Sequence, residues 1–415
     1  MHIREKICLF IVICCFLPGC SIVEDTAVFE NAVIRENTET VPAAVLPAET
    51  TPTPAPDPSP VPATVPEPIT ATILAAGDVI MHDNVIKSGR KSDGGYDYNY
   101  IFERVKPHVE KADFAVVSFE GTALETDRNY TGYPLFNAPP AIISAFSYAG
   151  FDMVNTGNNH CLDRGLKGLL ETRDIILRNN MQVIGTYADA AEPRHVIKDI
   201  NGIKIGFLSY TYGCNMNENR LTKDERDTHL SIIDKEKIKK EIENLSSLAD
   251  LVVVLVHWGI EYQVEPAQEQ KTLAELMLHA GADIILGSHP HVIERSEIHE
   301  TEDGIGYVIY SMGNFLSNQI PGSQPNKRNN DLTRESVMVF IKAEKDPVTG
   351  KTRIASVKHI PAWVHRYTEN GTFKYSIIPI TSSPDDEILG NTDANISEKL
   401  LSSYKRTMEK MQDFP

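Results

Sequence analysis

Apolar runs that stop abruptly in histidine, asparagine or acid recur along this chain, and they restrict the folds open to it. Ala71–Ala76 runs into Gly77-Asp78-Val79-Ile80-Met81-His82, and Phe114–Phe119 ends at Glu120. Met153–Asn155 leads to Gly157-Asn158-Asn159-His160-Cys161-Leu162-Asp163. Leu251–Val256 ends in His257-Trp258-Gly259, and Ile284–Leu286 in Gly287-Ser288-His289-Pro290-His291. Continuous short apolar runs suit strands buried on both faces. Further strands are predicted at Gln182–Ile184, Ile203–Tyr210 and Gly306–Met312, and residues 334–380 read as added antiparallel strands. Between the strands lie amphipathic helices over 165–179, 234–248 and 267–280, with Leu166, Leu169, Leu170 and Leu177 assigned to the buried face of the first. The predicted class is α/β, a mainly parallel or mixed sheet structure covered by helices.

In such sheets ligands bind beyond the carboxyl ends of the strands. Polar residues at those ends therefore converge. Asp78, His82, Glu120, Asn159, His257, His289 and His291 are the candidate cluster, and a mixed nitrogen and oxygen set suits divalent Zn, Mn or Fe. The expectation is a dinuclear centre. Each residue also has a plainer use. Asp78 could cap a helix, His257 could be a core histidine, and Glu120 could pair with an arginine. His160 could donate a proton to a leaving group, with Asp163 three residues on fixing its tautomer. Trp258 reads as core. The irregular stretches 213–230 and 317–334 follow strands that should end at the cluster, which makes them candidate walls.

The N-terminus reads as a targeting segment, residues 1–20. Arg4 and Lys6 precede an apolar run, Ile7 to Leu17, of secretory length, closed by Leu17-Pro18-Gly19-Cys20. That ending resembles a bacterial lipobox, with Cys20 as the lipidated residue. Localisation is therefore expected at the extracytoplasmic face of the cell membrane, held by lipid without a spanning helix. Residues 21–69 form a Pro/Thr-rich linker. Its proline-dense part, Pro42 to Pro68, reaches about 80 Å at about 3.1 Å per residue. The folded domain is assigned to 70–381, and 382–415 is a tail with a helix at Ile396–Met411.

A formal charge of −17 argues against a nucleic-acid partner, which would need a basic surface. Outside the targeting segment only Cys161 and Cys214 remain. They are read as free buried thiols.

The motifs, in this order, resemble the CapA (PgsA-type) poly-gamma-glutamate synthesis family, whose fold is similar to that of the calcineurin-like metallophosphoesterases. The resemblance runs from Thr72 to Gln319. It also takes in Phe136-Asn137-Ala138-Pro139-Pro140, His257-Trp258-Gly259-Ile260-Glu261-Tyr262 and Tyr310-Ser311-Met312-Gly313-Asn314-Phe315. The family's usual Asn-Leu-Glu reads Ser118-Phe119-Glu120 here. The resemblance implies a metallophosphoesterase-like β-sheet sandwich flanked by helices. It implies that Asp78, His82 and His291 serve one metal, that Asn159, His257 and His289 serve the other, and that Glu120 bridges them. By the same likeness His160 protonates the leaving group, while Glu261 and Asn314 contact substrate. The implied role is in making, exporting or anchoring an anionic surface polymer, as a metal-dependent hydrolase or transferase. Partners would be that polymer or a small anionic substrate, and a membrane synthase complex. The alternative is a non-catalytic accessory subunit with a structural metal site.

Overall fold

The computed structural model describes residues 66–301, 304–320, 332–381 and 394–415. The targeting segment with Cys20, and nearly all of the linker, lie outside the described residues, as does 321–331 of the second candidate wall.

Two sheets carry the fold. The first is eight-stranded, in the order β14-β13-β12-β1-β2-β3-β4, with β11 paired to β1. These strands are β1 (Ile69–Ile80), β2 (Phe114–Glu120), β3 (Met153–Asn155), β4 (Gln182–Ile184), β11 (Asn314–Leu316), β12 (Glu335–Lys345), β13 (Thr352–Glu369) and β14 (Thr372–Pro379). Strands β1 to β4 are parallel, and β12 to β14 add antiparallel pairs, as the strand-like composition of 334–380 predicts. The second sheet is six-stranded, in the order β5-β6-β7-β8-β10-β9. It comprises β5 (Val196–Ile200), β6 (Ile203–Thr211), β7 (Leu251–His257), β8 (Ile284–Ser288), β9 (Ile293–Thr301) and β10 (Gly304–Met312), with a parallel centre and antiparallel edges.

Side-chain alternation along each strand stacks the layers. In β1, Ala71, Ile73 and Ala75 join the core between the sheets, while Leu74 and Ala76 face a second core under helices. In β7, Leu251, Val253 and Leu255 face the first sheet, where Phe207 of β6 meets Phe114 with ring centroids 5.3 Å apart. Val252, Val254 and Val256 point the other way. Both faces of both strands are buried, so their sequences are continuous apolar runs.

The helices are α1 (Asp83–Ser88), α2 (Asn99–Phe102), α3 (Lys106–Val109), α4 (Ala141–Ala149), α5 (Gly165–Arg178), α6 (Lys223–His229), α7 (Lys235–Ser246), α8 (Gln268–His279) and α9 (Ala394–Met408). Helices α7 and α8 cover the second sheet through Ile238, Ile242, Leu245, Leu273 and Met277. The buried face of α5 differs from the leucine stripe read in the sequence. Leu177 is 48% exposed, and Leu169, Thr172, Arg173, Ile175 and Ile176 are the buried side chains. Arg173 is buried because it forms an ion pair with Glu192 at 2.6 Å, and a sequence stripe of apolar residues cannot register that.

The tail packs on the domain. Leu400 of α9 is buried, Arg406 pairs with Glu335, and Phe414 bridges to Val357. Asp413 reaches His359 Nδ1 at 2.5 Å, and His359 Nε2 meets the Tyr307 hydroxyl at 2.6 Å.

Candidate metal centre

Each motif sits where a parallel strand ends. Asp78 lies near the end of β1, Glu120 closes β2, and the loop after β3 carries Asn159 and His160. His257 closes β7, the loop after β8 carries His289 and His291, and the segment after β10 carries Asn314. The strand ends approach one another closely. A Cβ at Gly287 would lie 1.9 Å from Tyr310 O, and one at Gly77 would lie 2.0 Å from Gly313 O, so any side chain there would push the loops apart.

Asp78, Glu120 and His291 present ligand atoms that all lie within 4.8 Å of one another, and all three are buried. His257 Nε2 stands 3.1 Å from Asn159 Oδ1. Two atoms bound to one ion at about 2.1 Å are held about 3.0–3.4 Å apart at ordinary coordination angles. The rings of His257 and His289 lie 4.8 Å apart, and those of His289 and His291 lie 5.8 Å apart. His289 and His291 both have left-handed backbones, with φ of 98° and 61°. Such conformations cost about 1–3 kcal/mol each outside glycine and gather at functional sites. Together with Pro290 they set the two imidazoles around one region.

Hydrogen bonds position Asp78, His257 and His291. The His289 backbone N–H donates to Asp78 Oδ2 at 2.9 Å. Ser288 Oγ lies 3.0 Å from His257 Nδ1. Asn314 donates through Nδ2 to Ser317 Oγ, Gln319 Oε1 and Thr333 O, so its Oδ1 accepts from His291 Nδ1 at 3.1 Å. That bond leaves His291 Nε2 with a lone pair.

Electrostatics favour a cation. Burial holds the His257 and His289 imidazoles well below their ordinary range, and neighbouring histidines push the same way. Burial also lowers His291, to about 4. These rings are neutral at pH 7, as ligands must be. Burial raises the Asp78 carboxyl to about 7, and the hydrogen bond from the His289 N–H only partly offsets it. Its Oδ1, and His289 Nδ1, are buried without a hydrogen-bond partner among the described residues. Buried polar atoms without partners are costly unless something binds them. The donor set therefore fits one or two divalent ions.

His160 lies beside this cluster. Its Nδ1 is 2.8 Å from Asp163 Oδ2, which also accepts the Phe136 N–H at 2.7 Å. Its Nε2 is 3.8 Å from Glu120 Oε1 and 3.3 Å from Asn215 Nδ2. The paired asparagines divide their labour. Asn158 builds the turn, donating to Phe119 O and accepting from the His160 N–H, while Asn159 faces His257.

Other expected residues have contacts of their own. His82 precedes α1, where its Nδ1 accepts from the Asn318 N–H at 3.3 Å and its ring meets Phe136 edge-on at 5.4 Å. Glu261 is exposed beyond His257, and its charge favours protonated His291. Asn314 is fully buried, and its amide is occupied with protein partners. Trp258 is core, donating to Tyr310 O at 2.9 Å. Cys161 and Cys214 are free and buried, with Sγ atoms 3.5 Å apart.

Two residues were not singled out in the sequence. The Tyr212 ring stands 4.6 Å from His289, and its hydroxyl accepts from Asn159 Nδ2 at 3.1 Å. Asn215 reaches His160. Tyr212 lies just before, and Asn215 at the start of, the stretch 213–230, which reads as irregular in sequence and carries α6 in its second half; their position just after a strand end was the available signal.

Buried acids, an amide and neutral imidazoles at the strand ends of a two-sheet α/β sandwich define a candidate metal-binding protein. The model of the bacterial capsule synthesis protein PGA_cap family matches residues 72–319, more than half of the chain, and the chain belongs to that family. The capsule biosynthesis protein CapA of Bacillus anthracis is 29% identical over 256 residues, 60% of each chain. The PGA biosynthesis protein CapA of Bacillus subtilis (strain 168) is 28% identical over 249 residues, 59% of this chain and 62% of that one. The matched part thus spans about three fifths of these relatives. Among solved structures, a provisional 5'-nucleotidase of Staphylococcus aureus in complex with alpha-ketoglutarate gives a TM-score of 0.43 at 12% identity, covering 81% of this chain and 58% of that one. The Thermus thermophilus sulfate thiohydrolase SoxB in complex with glycerol gives 0.36 at 12% identity, covering 75% and 46%. Likenesses at this level add no argument about chemistry.

Proposed function

We propose that the protein is a metal-dependent hydrolase or transferase with a dinuclear centre, acting in the synthesis or export of poly-gamma-glutamate or a similar anionic surface polymer. The observation that carries the reading is a hydrogen-bonded pair, His160 with Asp163, set against a buried cluster of neutral imidazoles and carboxylates. A site serving only structure has no use for a positioned acid.

Asp78, Glu120, Asn159, His257, His289 and His291 would hold the ions, with His82 nearby. When bound, such ions supply charge stabilisation and an activated water. The rest falls to side chains. Asp163 holds the N–H at His160 Nδ1 and leaves Nε2 directed at the site; in the doubly protonated ring, Nε2 would hand its proton to a departing oxygen or nitrogen and return to the neutral Nδ1–H form. Asn215 and Tyr212 hold the loop that carries the pair. Asn314 and Ser288 keep His291 and His257 in the ligating tautomer.

The reading is tested on the full chain with a panel of phosphoesters and glutamyl peptides. Turnover of at least one class is expected, lost on chelation and restored by Mn, Fe or Zn. No turnover of any substrate by metal-loaded protein would contradict catalysis, and the accessory role would take its place.

We also infer attachment through a lipidated Cys20 at the extracytoplasmic membrane face, from the lipobox-like ending and the proline-rich spacer. Cys20→Ala should abolish lipid labelling and release the protein from the membrane fraction. Wild type without lipid at Cys20 would refute the anchor.

A further inference from the structure

Away from the metal centre, a groove of about 680 Å³ runs between the α1 region and the tip of the β13–β14 hairpin. Lys87, Arg90 and Lys91 line one wall, and Lys374 lines the other, with Glu369 as the acid among them. This concentration of positive charge stands out in a chain of 57 acidic and 40 basic residues.

Some lysines elsewhere have acidic partners one turn along their helices. Lys106 pairs with Glu110 at 2.6 Å, Lys237 with Glu241 at 3.8 Å and Lys239 with Glu243 at 3.8 Å. In the groove only Lys91 does, with Asp93 at 3.1 Å. Lys87 and Arg90 are exposed and have no ion-pair partner among the described residues. Lys374 is half-buried. Its Nζ donates to Ser88 O at 2.6 Å and lies 4.9 Å from the Tyr100 ring centre, which holds the charge in place. Favourable charge at the end of α1 accounts for Lys87 at most, since the helix has only six residues.

One short helix, α1, leads from the end of β1, the strand that carries Asp78, to the groove. His82 precedes α1, and Lys87 and Ser88 close it. At about 1.5 Å rise per residue the helix separates them by about 9 Å. A small anion bound at one place would not reach the other, whereas a flexible polymer with regularly spaced charges would occupy both.

We propose that this groove binds a stretch of a polycarboxylate chain and presents the adjoining stretch to the strand-end site. The inference rests on the polymer role proposed above and locates the residues that recognise the polymer. Lys87, Arg90 and Lys374 supply the cations. Because these contacts are solvent-exposed, binding weakens as ionic strength rises and the Debye length falls below about 10 Å.

The test uses the full chain and fluorescently labelled poly-glutamate, with inorganic polyphosphate as a second probe. Binding is followed by anisotropy at low and high salt. Lys87→Glu combined with Arg90→Glu is expected to weaken poly-glutamate binding by about tenfold or more at low salt, because reversing paired rim charges acts through electrostatic complementarity. Lys235→Glu with Lys240→Glu makes the same change in net charge on α7 and is expected to alter binding by less than about twofold. Equal losses in the two double variants would show non-specific attraction and overturn the groove. Loss of polyphosphate binding with poly-glutamate binding unchanged would overturn the polycarboxylate assignment. Wild-type hydrolysis of a small phosphoester is measured on the same preparation. Hydrolysis together with groove-independent polymer binding refutes the groove alone. Groove-dependent binding by a protein that hydrolyses nothing leaves the groove standing and refutes the catalytic reading.

Discussion

His160→Ala is expected to cut turnover by about 10²–10⁴-fold, the usual contribution of a positioned general acid or base, while metal content and the folded state stay as in wild type. The reason is its place. Its Nδ1 is held by Asp163 at 2.8 Å, its Nε2 points to Glu120 Oε1 at 3.8 Å, and it makes no contact that the core depends on beyond the Phe136 edge at 4.7 Å. Asp163→Asn should lose less, because that carboxylate orients the ring and does not transfer the proton. Its second contact, accepting the Phe136 N–H at 2.7 Å, predicts some loosening of the loop as well. Turnover and polymer production at wild-type levels in His160→Ala would remove the catalytic reading. Loss of metal in that variant would make His160 a ligand instead of an acid.

His257→Ala is expected to lose at least half of the bound metal and nearly all activity. His257 is fully buried, faces Asn159 Oδ1 at 3.1 Å, and packs against His289. Its removal strips a ligand and leaves a cavity in which Asn159 and Ser288 lose their partner. Ser288→Ala separates these effects. It removes only the hydrogen bond at Nδ1, and outer-shell losses of this kind typically cost about 10–100-fold in metal affinity or activity. Full metal occupancy in His257→Ala, measured beside wild type, would take His257 out of the centre.

Much of this site is legible in the sequence because of one regularity. Strands buried on both faces carry few polar residues before they end, so Glu120 after Phe114–Phe119 and His257 after Leu251–Val256 mark both the strand limit and the site. The parallel order of β1 to β3 and of β6, β7, β8 and β10 then brings those ends to the same side. The layered α/β class follows from the same runs. What the sequence hides is contact made by chance of packing. Val196–Ile200 and Ile293–Thr301 are half-exposed edge strands with mixed composition, so β5 and β9 lack the apolar signature. Tyr212 and Asn215 act on the site through a loop whose path depends on the second sheet. Arg173 defeats a leucine-stripe reading of α5 because its charge is neutralised by a residue on another element. The role of Asn314 turns on direction. Its position beside the site is visible in the motif, but only the structure shows that its amide is spent on holding His291.

The central claim is that the strand-end cluster binds metal, and elemental analysis of the purified wild-type chain tests it most directly. About one to two equivalents of a transition metal are predicted, as in one- and two-metal hydrolytic sites. Chelation should remove it, and His257→Ala and His289→Ala should lower it. Wild-type protein that carries no transition metal, and takes up none from Mn, Fe or Zn offered in excess, would contradict the account.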